Sequence, residues 1–187
     1  MTIRNPYVVL SSRCVYDNAW ISVTEHAIQK PRAGGNGIYG VVHFKNRAVG
    51  VIPYAEGMVW LVGQHRFPLD LYSWEIPEGG APLHEELEAC ARRELAEETG
   101  FSAGKLEQLF TMHLSNSVSD EIAYVFLATQ LSPGPTRWED TEELALCKVT
   151  VDELYQRVLA GEITDSMSVA AAFRLKLMQL EGALVGR

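Results

Sequence analysis

A run of acidic residues between positions 79 and 101 is the feature of this sequence that most restricts its fold. The segment reads GGAPLHEELEACARRELAEETGF. Glu94 precedes Glu97 by three residues and Glu98 by four, so a helix would place the three carboxylates on one face. Like charges at this spacing destabilise a bare helix by about 0.2–0.5 kcal/mol per pair. The segment therefore predicts a cation among its carboxylates, and the hard ions Mg²⁺ and Mn²⁺ prefer such oxygen ligands.

The local sequence also gives this helix expected limits. Pro82 suits the first turn of a helix, where its missing N–H is not needed. Gly100 suits the end, where the chain turns left-handed. Apolar residues recur at steps of three and four and predict a buried stripe, formed by Leu83, Leu87, Cys90, Ala91 and Leu95.

Arg93 adds a reason to expect an ordered site on the helix. Its guanidinium can reach Glu97 and, two turns back, Glu85 or Glu86. A planar guanidinium holds a carboxylate in one orientation. The competing interpretation is a solvated acidic face with salt bridges between residues four apart. Nine specified positions in order, after a Gly-Gly loop, favour the ordered site.

The string G-x5-E-x7-R-E-L-x-E-E-x-G-F, read from residue 79, resembles the signature box of the Nudix hydrolases at every specified position. These enzymes cleave a nucleoside diphosphate linked to another moiety. The resemblance implies an α/β (α+β) fold, a Nudix-type α/β/α sandwich with a mixed sheet, in which the box forms a loop-helix-loop. The implied cofactor is Mg²⁺ or Mn²⁺. The implied metal ligands are Glu94, Glu98, Glu97 (directly or through water) and the backbone carbonyl of Glu78, with Arg93 and Glu85 as orienting groups.

A second resemblance points to a substrate class. Segments 64–66 (QHR) and 74–79 (WEIPEG) resemble those of the subgroup that hydrolyses ADP-ribose and nucleoside diphosphate sugars. The implied products are a nucleoside monophosphate and a sugar phosphate. ADP-ribose hydrolases of this subgroup commonly carry a proline beyond the box, whereas residues 113–118 read HLSNSV. GDP-mannose or another nucleoside diphosphate hexose is therefore an alternative substrate. A non-catalytic Nudix-fold nucleotide-binding regulator is the alternative of another class, and the intact box counts against it.

The resemblance also implies a catalytic glutamate in an acidic loop after the box. This residue would position or deprotonate the attacking water, with Glu97 and Arg93 assisting from the helix. Glu142 is the first candidate, followed by Glu143 and Asp140. The competing interpretation is a solvated acidic turn.

Four residues outside the signature box are candidates for substrate contacts. Arg66 suits a phosphate, since a guanidinium binds phosphate bidentately. Glu75 could accept from a ribose or sugar hydroxyl, or simply pair with an arginine. Glu121 is a second candidate base or metal-shell residue. Trp20 is the first candidate to stack on the base, although core or interface roles compete for it and for the other aromatics considered, Tyr39, Phe44 and Trp74.

Length and charge limit the remaining possibilities. At 187 residues we expect a Nudix domain over 38–187 preceded by a β hairpin over 1–37, which the subgroup uses to form a homodimer. A net charge of −8 argues against a nucleic-acid or membrane-surface binder. The three cysteines share no metal or redox spacing, and no signal or membrane-spanning segment is visible, so we expect reduced thiols in a cytoplasmic protein.

Short β-branched and aromatic runs predict the strands. The N-terminal hairpin turns at Asp17-Asn18, and a meander follows with turns at Lys45-Asn46 and Glu56-Gly57. Further strands are expected near 105–114, 121–131 and 144–150, and helices near 151–159 and 167–181.

Overall fold

A computed structural model describes residues 4–31, 34–135 and 144–187. In chain order its elements are β1 Val8–Asp17, β2 Ile21–Gln29, β3 Asn36–Phe44, β4 Asn46–Ala55, β5 Met58–Arg66, β6 Leu71–Glu75, β7 Glu78–Pro82, α1 Leu87–Thr99, β8 Phe101–His113, β9 Ile122–Pro133, β10 Ala145–Thr150, α2 Val151–Leu159 and α3 Ser166–Leu180. The chain forms two compact units. One comprises Met1–Arg47 with His113–Ile122, and the other Ala48–Met112 with Ala123–Arg187.

The N-terminal unit is built on an antiparallel sheet with strand order β1-β2-β3. The predicted hairpin of β1 and β2 is confirmed, and Asn18 Oδ1 closes its turn by accepting from the backbone N–H of Ile21 at 2.8 Å. The predicted meander was wrong at its first step, because β3 pairs with β2 instead of β4. A single residue, Lys45, separates β3 from β4, which is too short for a hairpin loop.

The second unit contains a mixed sheet with strand order β10-β5-β4-β9-β8, to which β6 adds on β5 and β7 on β4. Strands β4 and β9 run parallel, whereas β4–β5, β5–β6 and β5–β10 are antiparallel. The predicted turn between β4 and β5 is confirmed: Glu56 and Gly57 both have positive φ, 50° and 80°. Such a pair suits the right-handed twist of a hairpin.

Helices cover both faces of this mixed sheet. The buried side chains of Val49 and Val51 on β4 pack in one cluster with Leu95 of α1. A methyl group on Gly50, between them, would lie 3.5 Å from Sδ of Met167 in α3. Because successive residues of a strand point to opposite faces, α1 and α3 lie on opposite sides of the sheet. The expected α/β/α sandwich is confirmed.

The acidic helix begins later than expected. Pro82 is the last residue of β7, a turn follows in which Glu85 N–H donates to Pro82 O at 2.9 Å, and α1 starts at Leu87. The assignment of Pro82 to the first helical turn and of Leu83 to the apolar stripe was therefore wrong, and Leu83 is 76% exposed. A proline has no N–H for a strand partner, so it ends a strand as readily as it begins a helix.

The other helix limits follow the sequence closely. Gly100 ends α1 in the left-handed conformation, with φ 73° and its N–H donating to Ala96 O. A reciprocal capping box of Thr150 and Glu153 begins α2. Asp165 caps α3 by accepting from the N–H of Ser168 at 2.7 Å. In the described part of the chain, no helix is long and apolar enough to cross a membrane.

Candidate active site

The backbone of residues 76–78, here called the 76–78 segment, is anchored to three different elements. The bonds run from Ile76 N–H to Ser168 Oγ of α3 (2.8 Å), from Val51 N–H of β4 to Pro77 O (2.8 Å) and from Glu78 N–H to Glu98 Oε2 of α1 (3.0 Å). Both Ser168 and Glu98 are buried. The segment is therefore fixed from α1, the sheet and α3 together.

Gly79 brings the backbone directly against a carboxylate of α1. A methyl group at this position would lie 2.1 Å from the carboxyl carbon of Glu94. Only glycine leaves room for that close approach. Since Glu94 is 8% and Glu98 2% exposed, two carboxylates of the acidic helix lie buried beside residues 78 and 79.

Arg93 joins three carboxylates of the acidic segment. It donates to Glu85 at 3.0 and 3.1 Å, to Glu94 at 2.7 Å and to Glu97 at 3.0 Å. The contacts that its spacing predicted, with Glu85 and Glu97, are both present. The hydrogen bond from Arg93 lowers the pKa of Glu85, and the same bond, outweighing desolvation, raises the pKa of Arg93. Arg93 is thus a fixed counter-charge for the helix.

Arg66 lies in a second group of charges next to the 76–78 segment. Its Nε lies 3.0 Å from both carboxylate oxygens of Glu75, and its Nη2 also donates to Glu75 and, at 2.6 Å, to Glu78 Oε1. Burial alone would lower the pKa of Arg66, but the bond to Glu75 and the charges of Glu78 and Glu75 raise it overall. The sequence left two roles open for Glu75, accepting from a ribose or sugar hydroxyl or pairing with an arginine. The structure shows the pairing with an arginine. One-third of the Arg66 side chain stays exposed.

Glu78 holds the least compensated charge of the site. Its Oε2 is buried and, within the described residues, accepts no hydrogen bond. Burial raises the pKa of Glu78 well above its ordinary value, and the charges of Asp165 and Glu75 raise it further against the opposing effect of Arg66. An orphaned carboxylate oxygen of this kind is satisfied by a proton or by a cation.

The site is rich in carboxylates. Arg66 pairs with Glu75 and Glu78, and Arg93 pairs with Glu85, Glu94 and Glu97. Glu98 and Asp165 add two more acidic groups to the same region. Among the described residues, no three His, Cys, Asp or Glu side chains already converge as a ligand set. Arg93 engages Glu94 and Glu97, so an ion would have to draw those carboxylates from it. The oxygen-only donor set fits a hard divalent ion.

A cleft opens beside the exposed edge of α1. Its volume is about 400 Å³, and Arg93 and Glu97 line it together with Phe101 and Pro135. It offers room for part of a small molecule next to the acidic helix, with an apolar wall and one charged pair.

The other sequence candidates belong to the N-terminal unit or fall outside the described residues. Trp20 is 70% exposed in the N-terminal unit. Glu121 belongs to the same unit, where burial and then the charge of Asp120 raise its pKa. Glu142, Glu143 and Asp140 fall outside the described residues.

The remaining aromatic candidates have structural partners. Tyr39 donates from its hydroxyl to Ser117 O at 2.6 Å. Phe44 is 39% exposed, and its backbone N–H donates to Asp120 Oδ1 at 3.1 Å. Trp74 packs edge-on against Tyr72 at a centroid distance of 5.6 Å.

Sequence reasoning missed two residues of the site, Asp165 and Ser168. The available signal was local only: an Asp three residues before a Ser at the start of an apolar helical pattern is typical of an N-cap. That signal predicts the beginning of α3 but does not indicate what the helix end faces.

Known proteins resemble this chain in sequence and in fold. Residues 44–168 match the family model described as NUDIX domain. ADP-ribose pyrophosphatase of Bacillus subtilis (strain 168) is 36% identical over 131 residues, which cover 69% of each chain. GDP-mannose pyrophosphatase of Klebsiella pneumoniae is 29% identical over 106 residues, 55% of this chain and 52% of that protein. The solved structure of an ADP compounds hydrolase superposes with a TM-score of 0.84 at 18% identity, covering 97% of this chain and 99% of that one.

Proposed function

Because this chain belongs to the NUDIX domain family, we propose that it hydrolyses the pyrophosphate bond of ADP-ribose or a related nucleoside diphosphate sugar. The products are a nucleoside monophosphate and a sugar phosphate, and a divalent cation, Mg²⁺ or Mn²⁺, is the cofactor. The observation that carries this proposal is the buried acidic cluster that α1 forms with the 76–78 segment, where Glu94 and Glu98 meet Gly79 and Glu78.

Glu94, Glu98 and the carbonyl of Glu78 would hold the cation, with Glu97 beside them. An ion bound there offsets the charge of the pyrophosphate oxygens and lowers the pKa of a bound water. Arg93 keeps the helix carboxylates oriented through its fork of hydrogen bonds.

Proton removal from the attacking water is assigned to the acidic loop. Glu142 is the proposed base, with Glu143 and then Asp140 as the next candidates, because the family places a glutamate in a loop after its box. General base catalysis of this kind is typically worth about 10²–10⁴-fold in rate. Arg66 contributes the phosphate contact, since its guanidinium lies beside Glu78 and one-third of its side chain is exposed.

The identity of the sugar and base is the less constrained part of the proposal. A relative active on ADP-ribose and another active on GDP-mannose both align with this chain. ADP-ribose has the support of the higher identity and longer alignment. GDP-mannose or another nucleoside diphosphate hexose is the second candidate, because residues 113–118 lack the proline that ADP-ribose hydrolases of the subgroup commonly carry. Trp20 and Glu121 remain proposed contacts for the substrate.

A nucleotide panel with Mg²⁺, Mn²⁺ or EDTA tests the function. The panel contains ADP-ribose, ADP-glucose, GDP-mannose and UDP-glucose, and phosphate release after phosphatase treatment is the readout. We expect turnover that EDTA abolishes, with ADP-ribose preferred. Turnover of no member, with nucleotide binding intact, would favour the non-catalytic regulator.

Glu98→Gln and Glu88→Gln form a matched pair for the same assay. Gln at 98 keeps an acceptor for the Glu78 N–H but removes one charge, and we expect the rate to fall at least about 100-fold. Glu88 lies on the same helix, is exposed and pairs with Arg92 at 2.8 Å, so Glu88→Gln should leave the rate unchanged. Equal rates for the two variants would refute the assignment of Glu98.

Homodimerisation through the hairpin region 1–37 is part of the proposal. All ten residues of β1 are exposed, and this edge strand carries Val8, Val9 and Leu10 in a row. An exposed apolar edge strand is a surface suited to pairing with a second chain. Light scattering should give twice the chain mass, and Val9→Lys should halve it. Residence in the cytoplasm stays a prediction that rests on the free thiols.

A further inference from the structure

We propose that the first turn of α3 positions the 76–78 segment. Ser168 is the residue that sets the path of the backbone leading to Glu78. This inference rests on the proposed function, because it concerns how the ion site is held. Nothing in the acidic box assigns any role to α3.

The contact is direct and buried. Ser168 has no exposed surface, and its Oγ accepts from the backbone N–H of Ile76 at 2.8 Å. Ile76 lies two positions before Glu78, the residue whose N–H donates to Glu98 Oε2. A shift of the backbone at 76 therefore moves the Glu78 carbonyl and carboxylate relative to the helix carboxylates.

Ser168 is itself held in place by its own helix. The backbone N–H of Ser168 donates to Asp165 Oδ2 at 2.7 Å, which fixes the first turn. Asp165 also faces the charges of the site, since it acts electrostatically on both Glu78 and Arg66. The turn thus meets the 76–78 segment through a hydrogen bond and through charge.

A second contact involves the side chain of Ile76. Gly50 of β4 has no side chain and leaves room for the side chain of Ile76. A methyl group on Gly50 would lie 2.8 Å from Ile76 Cδ1 and 3.5 Å from Met167 Sδ. Ile76 is fully buried and Met167 nearly so. The same turn of α3 therefore fixes Ile76 at its backbone and packs near its side chain, which excludes an independent displacement of the segment.

Removal of the Ser168 hydroxyl tests the proposal. Ser168→Ala leaves the Ile76 N–H without its acceptor, and we expect the affinity for Mn²⁺, measured by electron paramagnetic resonance without substrate, to fall about tenfold. Turnover should show a lower kcat at saturating Mn²⁺ with little change in the KM for substrate. Ser168→Thr keeps the hydroxyl and should restore both values.

Ser166→Ala is the matched control, because it makes the same substitution in the same turn at an exposed position. It should bind Mn²⁺ as the unsubstituted chain does. A second pair serves if Ser168→Ala does not fold: Asp165→Ala and Asp165→Asn remove the same charge, but only Asn keeps an acceptor for the Ser168 N–H, so Mn²⁺ binding should be weaker in Asp165→Ala than in Asp165→Asn. Equal Mn²⁺ affinities for the two Asp165 variants would overturn the positioning role.

The outcomes separate this inference from the function on which it rests. If Ser168→Ala folds and its Mn²⁺ affinity is unchanged, the positioning role is overturned and the proposed function stands. The same holds if the only change is a lower Tm. Absence of any Mn²⁺ site in the unsubstituted chain overturns the proposed function and this inference with it. A tenfold loss that Thr restores and Ser166→Ala does not share supports the inference.

Discussion

Replacement of Gly79 by alanine should damage the ion site far more than the fold. The new methyl would lie 2.1 Å from the carboxyl carbon and from Oε1 of Glu94, and 2.4 Å from Oε2. Ordinary contacts of a Cβ atom begin at 3.4 Å, so the carboxylate must retreat by about 1.3 Å, the difference between 3.4 and 2.1 Å. Because ligand oxygens lie about 2.0–2.1 Å from Mg²⁺, a displacement of that size removes a direct ligand.

The expected magnitudes differ between binding and stability. The group that must move is the end of a flexible side chain, so the free energy of unfolding should fall by no more than about 1–3 kcal/mol. The affinity for Mn²⁺ should fall about 10- to 100-fold, as it does when the support of a ligand is lost. Turnover at fixed, subsaturating Mn²⁺ should fall with it and recover in part when Mn²⁺ is raised.

Gly40→Ala provides the matched control for Gly79→Ala. A methyl on Gly40, in β3, would meet no atom within 4 Å. It makes the same change in backbone freedom without touching a carboxylate, so Mn²⁺ affinity should stay unchanged. A folded Gly79→Ala variant with the Mn²⁺ affinity of the original would refute the placement of Glu94 among the ligands.

Three further predictions concern stability and reactivity. Thr150→Ala removes half of the α2 capping box and should lower the free energy of unfolding by about 1 kcal/mol in chemical denaturation, whereas Thr150→Ser should not. Burial, then the charge of Glu94, raises the pKa of Cys90 to about 12, so a thiol reagent should modify exposed Cys14 quickly and Cys90 only after unfolding. Because Cys147 is partly exposed, a fast phase that survives in the double variant Cys14→Ser, Cys147→Ser would contradict this. Because its folded pKa is lowered, Glu85 stabilises the fold above about pH 4.3, and this contribution is lost as the pH falls through the folded value. The difference in unfolding free energy between the original chain and Glu85→Gln should therefore shrink towards acid pH, and a constant difference would contradict the lowered pKa.

The parts of the structure that the sequence predicted well are those that depend on neighbouring residues. The end of α1 at Gly100 needs only a residue that tolerates positive φ, and the fork of Arg93 follows from helical spacing together with one carboxylate just before the helix. The expected helices after the sheet were placed to within a residue of α2 and α3 for the same reason. The confirmed sandwich follows from a family resemblance rather than from the pattern itself.

The parts that it did not predict depend on distant partners. Pro82 fits both a helix start and a strand end, and only the pairing of β7 with β4 decides between them. The bond from Ile76 to Ser168 joins residues 92 positions apart, and the partner of β3 is likewise chosen by the sheet. No local pattern in the sequence indicates the bond from Ile76 to Ser168 or the partner of β3. The anchor of the 76–78 segment on α3 could therefore be found only in the folded chain.

The long separation between Ile76 and Ser168 has a consequence for a protein that is still being synthesised. At about 5–20 residues per second, the ribosome reaches Ser168 roughly 5–20 s after Ile76. By the end of that interval the residues of the box helix and of strands β1–β10 have been synthesised, but the 76–78 segment still lacks its anchor on α3. A nascent chain should therefore gain its nucleotide-cleaving activity late, when the last helix leaves the exit tunnel, and incomplete translation products should be inactive even though they contain the entire signature box.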